Sequence, residues 1–242
     1  MFRMSRNLLT ILALGLIAAS CEASKGTPSP TVQTVTVTAA AGATSVSFAN
    51  RNQTSQLAAS ARLTDGTSTD VTGTATWASS ASTVATVSGT GLVTALTNGA
   101  TTITATHLGQ VGSLAATVAM RATAEVTPTF ARLCSPNRAQ MAVVIRESSN
   151  NIGFRITLLE ITMTDINGVQ RYHRALSAAD VSALAGSNIV GPGASRTVTV
   201  ESGYPGGVNV EDSTGRVILT AVDDAGNAIS ITLNSISMRD RC

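Results

Sequence analysis

Two histidines, His107 and His173, and three cysteines, Cys21, Cys134 and Cys242, are all the imidazoles and thiols this 242-residue chain has for chemistry. A histidine-based triad needs a Ser or Cys nucleophile on a shaped turn, and no Gly-x-Ser-x-Gly occurs. His-Glu-x-x-His, Cys-x-x-Cys and a phosphate-cradling glycine loop with its Lys are also missing. A structural zinc site needs four Cys or His ligands, which the chain cannot assemble once Cys134 and Cys242 pair. Only carboxylate hydrolysis, which needs two acids and nothing else, stays open as an enzyme class, placed in the C-terminal half. The expectation is a non-enzymatic protein without a cofactor.

Three constellations suggest binding. Asp223, Asp224 and Asn227, with Glu211 and Asp212, offer hard oxygen ligands suited to calcium. The competing reading of Asp-Asp-Ala-Gly-Asn is a turn whose Asp and Asn bond their own backbone. Arg171, Tyr172, His173 and Arg174 form a basic and aromatic cluster suited to an anionic polymer or a protein. Its competing reading is a plain strand with alternate residues in solvent. Tyr204-Pro205-Gly206-Gly207, with Gly191-Pro192-Gly193 nearby in sequence, forms loops of the kind that carry contacts at sandwich ends, or that merely tolerate change.

Charge narrows the partner. Lys and Arg total 16 against 14 Asp and Glu, but Arg3 and Arg6 belong to a segment expected to be removed, which leaves 14 against 14. Residues 127–242 carry ten Arg and ten acids, and the chain has a single lysine, Lys25. Nucleic-acid binding, which needs a basic face, is not expected.

The first residues read as an export signal. Met1–Arg6 is basic, Leu8–Ala19 is apolar and too short to span a bilayer comfortably, and Ala18-Ala19-Ser20 precedes Cys21. This junction resembles the lipobox of bacterial lipoproteins, a resemblance that implies lipidation of Cys21 as the first mature residue and a membrane as partner. Ordinary cleavage, leaving Cys21 as a free thiol, is the alternative. An odd cysteine count fits the lipid, leaving Cys134 and Cys242 as a disulfide pair in an oxidising compartment, or as two unpaired thiols. Residues 21–31, rich in Pro, Gly and small polar side chains, read as a tether.

The elements that must position these groups are strands. Charged residues are 12% and aromatics 3%, while small and β-branched residues dominate, a composition for pleated sheets with thin cores. Between Thr34 and Met120 apolar residues alternate in short runs, as at Leu57, Ala59, Ala61 and Leu63, with turn signals such as Asp65-Gly66 between them. Seven or eight strands in about ninety residues predict a β-sandwich, with Trp77 plugging the middle of the core.

Trp77-Ala78-Ser79-Ser80, Val84-Ala85-Thr86-Val87-Ser88, Gly91-Leu92-Val93-Thr94-Ala95 and Gly99–Thr106 follow one another in order. Over residues 32 to about 120 this series resembles the group 2 bacterial immunoglobulin-like family. The resemblance implies a sandwich fold and an extracytoplasmic address, and it supplies neither a ligand nor catalytic residues.

The second half resembles no family but reads as strands at 141–146, 152–164, 169–174, 196–201, 216–222 and 228–238. Hairpin turns are predicted at Asp165–Gly168 and Asp223–Asn227, and a helix over 177–184 capped by Ser177 with Asp180 as reciprocal partner. The predicted organisation is all-β, two β-sandwiches in tandem: a signal at 1–20, the tether at 21–31, the Ig-like unit at 32–122, a connector through 121–130, and a second sandwich with a helical insertion at 127–242. The expected role is a lipid-anchored envelope protein that displays its C-terminal domain for adhesion to a protein or polysaccharide. A structural subunit contacting other proteins through strand edges is the alternative.

Overall fold

A computed structural model describes residues 29–132, 138–203 and 213–240. Their secondary structure is strand apart from a 3₁₀ turn at Ala40–Gly42 and one α-helix. The all-β, two-sandwich architecture is as the alternation predicts.

The first sandwich holds ten strands: β1 (Val32–Thr38), β2 (Ser45–Phe48), β3 (Thr54–Gln56), β4 (Ala58–Leu63), β5 (Ser68–Asp70), β6 (Thr76–Ser79), β7 (Ala85–Val87), β8 (Leu92–Ala95), β9 (Gly99–His107) and β10 (Gln110–Val118). They form three sheets, ordered β1-β4-β5, β2-β10-β9-β6 and β3-β8-β7. The chain switches sheets early: β1 pairs antiparallel with β4, whereas β2 runs parallel to β10. Period two drives the burial. In β10, Leu114, Ala116 and Val118 face the core while Ser113, Ala115 and Thr117 face solvent.

Phe48, Leu57, Ile103, Leu114 and Met120 occupy the middle of that core. Trp77 does not, contrary to expectation. It is half-buried at the margin, where its indole Nε1 donates to the Thr72 carbonyl at 2.9 Å. An indole N–H needs a partner when covered, and the Thr72 carbonyl supplies it. Its ring lies over Gly91, which has φ 81°; a Cβ there would meet Trp77 Cζ2 and the Leu57 carbonyl oxygen, each at 2.9 Å.

The second sandwich holds β11 (Ala124–Arg132), β12 (Arg138–Glu147), β13 (Phe154–Thr164), β14 (Gln170–Ser177), the helix α1 (Ala178–Ala185), β15 (Ile189–Val190), β16 (Ser195–Gly203), β17 (Thr214–Asp223) and β18 (Ala228–Asp240). The strand order is β14-β13-β17-β18-β11-β12-β16, with β15 beside β13. β18 joins the two layers. Its pairing with β17 shifts register at an irregularity by Ser235, at φ 58°, and resumes as far as Ser237, after which its last residues run parallel to β11. Met141, Val143, Ile145, Phe154, Ile156, Leu159, Ile161 and Leu219 fill the space between. α1 packs on β13, β14 and β16, bridging the two ends of the strand order, with Val181 buried beneath it. Its capping box from Ser177 and Asp180 is the predicted one.

One boundary differs from the sequence reading. The stretch 121–130 is not a connector: from Ala124 it is the strand β11, paired with β12 along its whole length. Pro128 lacks an N–H and cannot donate to a neighbouring strand. β18 lies alongside only from Phe130 onward, so the proline sits where β11 is paired on one side.

Candidate functional site

Strand register sorts the loops into two ends. In the second sandwich Ala124 stands opposite Glu147, Phe154 opposite Asp223 and Arg146 opposite Ser195. The turns at 148–153, 191–194 and 223–227 therefore gather at the end that meets the first sandwich. Thr164 stands opposite Thr214, and Arg138 opposite Gly203, at the other end. The turn at 165–169 belongs to this far end.

Of the two glycine-proline loops, 191–193 is among the described residues. Gly193 lies at the near end, where its N–H donates to Glu147, whereas β16 carries the chain to Gly203 at the far end before Tyr204. Nine residues of strand, about 30 Å, carry β16 from Ser195 to Gly203. Tyr204, with Glu211 and Asp212, lies outside the described residues, as do Cys21, Cys134 and Cys242.

The basic cluster lies on β14, an end strand with β13 alone beside it. Arg171, His173 and Arg174 are exposed, while Tyr172 is half-buried against the second core, with its hydroxyl covered. Arg171 is already engaged: its Nε and Nη2 donate to Asp165 Oδ2 at 2.7 and 2.6 Å. Asp165 Oδ1 accepts the Asn167 and Val169 amides, both at 2.9 Å. These turn amides, led by that of Val169, and the guanidinium hold the Asp165 carboxyl below its usual value. His173 Nδ1 is 3.2 Å from Thr162 Oγ1. Among the described residues β14 pairs with β13 alone, and it carries exposed His173 and Arg174 with Arg171 anchored at its start.

The acidic turn is built differently. Asp223 Oδ1 accepts from the amides of Ala225 and Asn227 at 3.0 and 2.7 Å, and Asn227 Nδ2 reaches both carboxylate oxygens at 3.1 and 3.0 Å. Asp224 turns away and accepts from Gly153 N at 3.1 Å. Asp223 and Asn227 are thus joined by hydrogen bonds given to the carboxylate, the geometry of an Asx turn closed by Gly226. No group of three or more His, Cys, Asp or Glu among the described residues could hold a metal ion. His107 and His173 sit in different sandwiches.

Sequence reasoning missed Glu147. It is fully buried and has no ion-pair partner among the described residues, yet its oxygens collect the amides of Thr123 at 3.2 Å, Ser149 at 3.0 Å, Asn150 at 2.7 Å and Gly193 at 2.9 Å, together with the Ser149 hydroxyl. Burial alone would push its carboxyl up, but these donors outweigh burial and hold it below the usual value. Asp223 behaves alike, with burial opposed by Asn227, Ala122 and Ala225. A signal was present: Ala139, Met141, Val143, Ile145 and Glu147 share one parity, so the acid had to point inward.

Known proteins place the first sandwich. The family described as bacterial Ig-like domain (group 2) matches residues 31–119. Residues 31–119 are a group 2 bacterial Ig-like domain. Its β1 and β2 are the early sheet switch described above, and Gly91, Gly99 and Trp77 fall inside it. No curated protein matches the chain. Among solved structures, domains 1–6 of the surface layer protein SbsC are similar at 14% identity and a TM-score of 0.34, over 88% of this chain and 29% of that one. A DUF3823 family protein from Bacteroides ovatus is similar at 12% identity and a TM-score of 0.30, over 85% of this chain and 98% of that one. The chain thus spans under a third of the surface layer structure. Among the described residues no helix is long and apolar enough to cross a membrane.

Proposed function

We propose that this is a non-catalytic, lipid-anchored protein of the bacterial cell envelope, whose Ig-like domain carries the second sandwich away from the membrane to meet a protein or polysaccharide. The single observation behind this reading is strand polarity. Val32 stands beside Leu63, and β4 runs there from the side where Ala49–Gln53 meets the second sandwich. The chain therefore enters the Ig-like domain at the end opposite the junction. β10 leads back to the junction, and β13 ends at the 165–169 turn beyond it. Val32, where β1 begins, and the 165–169 turn are at opposite ends of the molecule, spaced by β10 and β13, about 30 and 37 Å of strand.

Lipidation is tested by Cys21→Ser, which should shift the protein from the membrane to the soluble fraction; retention on the membrane would remove the anchor from the proposal. Display is tested by protease shaving of intact cells with blotting for the C-terminal domain. Loss without cell rupture is expected for a surface contact, and full protection until the envelope is opened would discard an external partner. Arg171→Ser with Arg174→Ser should lower retention on isolated cell-wall polysaccharide if the β14 edge makes the contact. Unchanged retention would move the contact off β14.

A further inference from the structure

We propose that the two sandwiches form one rigid arm, locked by the 147–153 segment of the second domain reaching into the base of the Ig-like domain. Adjacent domains in a chain move relative to each other unless their interface prevents it. Here the interface consumes the linker. Between the last residue of β10, Val118, and the first of β11, Ala124, each of the five residues has a fixed backbone. Ala119 N donates to the Phe48 carbonyl at 2.9 Å, and Asn98 grips Met120 twice, at 2.7 Å on its N–H and 3.0 Å on its carbonyl. The Arg121 carbonyl accepts from Ser149 Oγ at 3.3 Å, Ala122 N donates to Asp223 at 3.4 Å, and Thr123 is held by Glu147 and by Ser148 N at 2.9 Å. Ala122 packs against both cores.

The segment itself crosses the boundary. Ile152 is buried in the core of the Ig-like domain, not in that of its own sandwich. Asn151, 5% exposed, accepts Arg51 N on its side-chain oxygen at 2.9 Å and Arg51 Nε on its carbonyl at 3.0 Å, and gives Nδ2 to Asn50 Oδ1 at 3.1 Å. These bonds tie the 49–51 turn of the first domain to a loop whose other end Glu147 clamps. A covered side chain exchanged between cores, plus bonds on both sides of a linker with no free residue, leaves no axis about which one sandwich can swing.

The test is ¹⁵N relaxation on the full chain carrying Cys21→Ser, so that no lipid is added. Both domains should report one common rotational diffusion tensor. Asn151→Ala with Ile152→Ser should split it, each domain's correlation time falling toward that of an isolated sandwich while its amide spectrum stays folded. Separate tensors in the unsubstituted chain would overturn the proposal. A common tensor that survives the double substitution would overturn the role given to the 147–153 segment. Should the double variant not fold, Arg51→Ala, which removes only the Nε bond, should raise the amplitude of interdomain motion; no change would count against the lock.

Discussion

A buried carboxylate with no cation is costly unless donors surround it, and Glu147 shows how few residues suffice. Four amides and a hydroxyl converge on it from the linker, from its own loop and from the 191–194 turn. Glu147→Gln keeps the shape but removes the charge and turns an NH₂ toward an amide donor, so it should cost about 2–3 kcal/mol. The pH dependence has a definite sign. The folded carboxyl lies below its ordinary value of 4.5, so its stabilisation is complete above that value and is lost as pH falls through the lower, folded one. Asp223 acts in the same direction. Urea midpoints measured from neutral to pH 3 should fall steeply in the parent and less steeply in Glu147→Gln. Equal slopes would mean that another acid carries the dependence. Gly215 makes a second prediction: the Phe130 ring occupies the place where a Cβ would stand. Gly215→Ala should cost at least about 1–3 kcal/mol by overpacking, read as a lower thermal midpoint. The parity of Glu147 was legible in the sequence, whereas the need for Gly215 was not, since Phe130 lies 85 residues away along the chain.

At the scale of elements, what could be read depended on whether a signal was local. The α1 capping box and the Asp165 and Asp223 hairpins rest on residues within five positions of each other, and they form as the sequence dictates. β3, β5 and β15 are two or three residues long, too short for alternation to register, and only their neighbours make them strands. β11 lies in the stretch read as a connector, and the second of its partners, β18, comes from more than a hundred residues on. That parallel pairing bears on the cysteines. Arg132 ends β11 opposite Asp240 at the end of β18, and Cys134 and Cys242 each follow by two residues. We propose that Cys134 and Cys242, which lie outside the described residues, form a disulfide rather than two free thiols. With Cys21 replaced by Ser, a thiol reagent should find no reactive cysteine before reduction and two after. Cys134→Ser should lower stability by up to about 4–5 kcal/mol, the chain-entropy value for a loop of this length. Two thiols reactive without reductant would remove the bridge.

For the whole molecule, the sequence divides more readily than the structure does. Composition and turn spacing separate two sandwiches, and the family match ends at residue 119, yet the cores do not respect that boundary, because Ile152 belongs to the first. An apolar residue in a loop after Ser-Ser-Asn-Asn carries no local mark of which core will take it. The consequence is a substitution whose effect reverses with context. In the full chain, Ile152→Ala empties a site in the Ig-like core and should cost roughly 2–4 kcal/mol, lowering the unfolding midpoint of the first domain although the residue lies in the second. In a fragment beginning at Ala124 the same side chain has no core to enter and stands in water, where its removal should be neutral for stability and favourable for solubility. Thermal unfolding of both chains with and without the substitution separates the outcomes. Destabilisation of the fragment equal to that of the full chain would mean that Ile152 serves its own sandwich, and that the two domains are neighbours without a shared core.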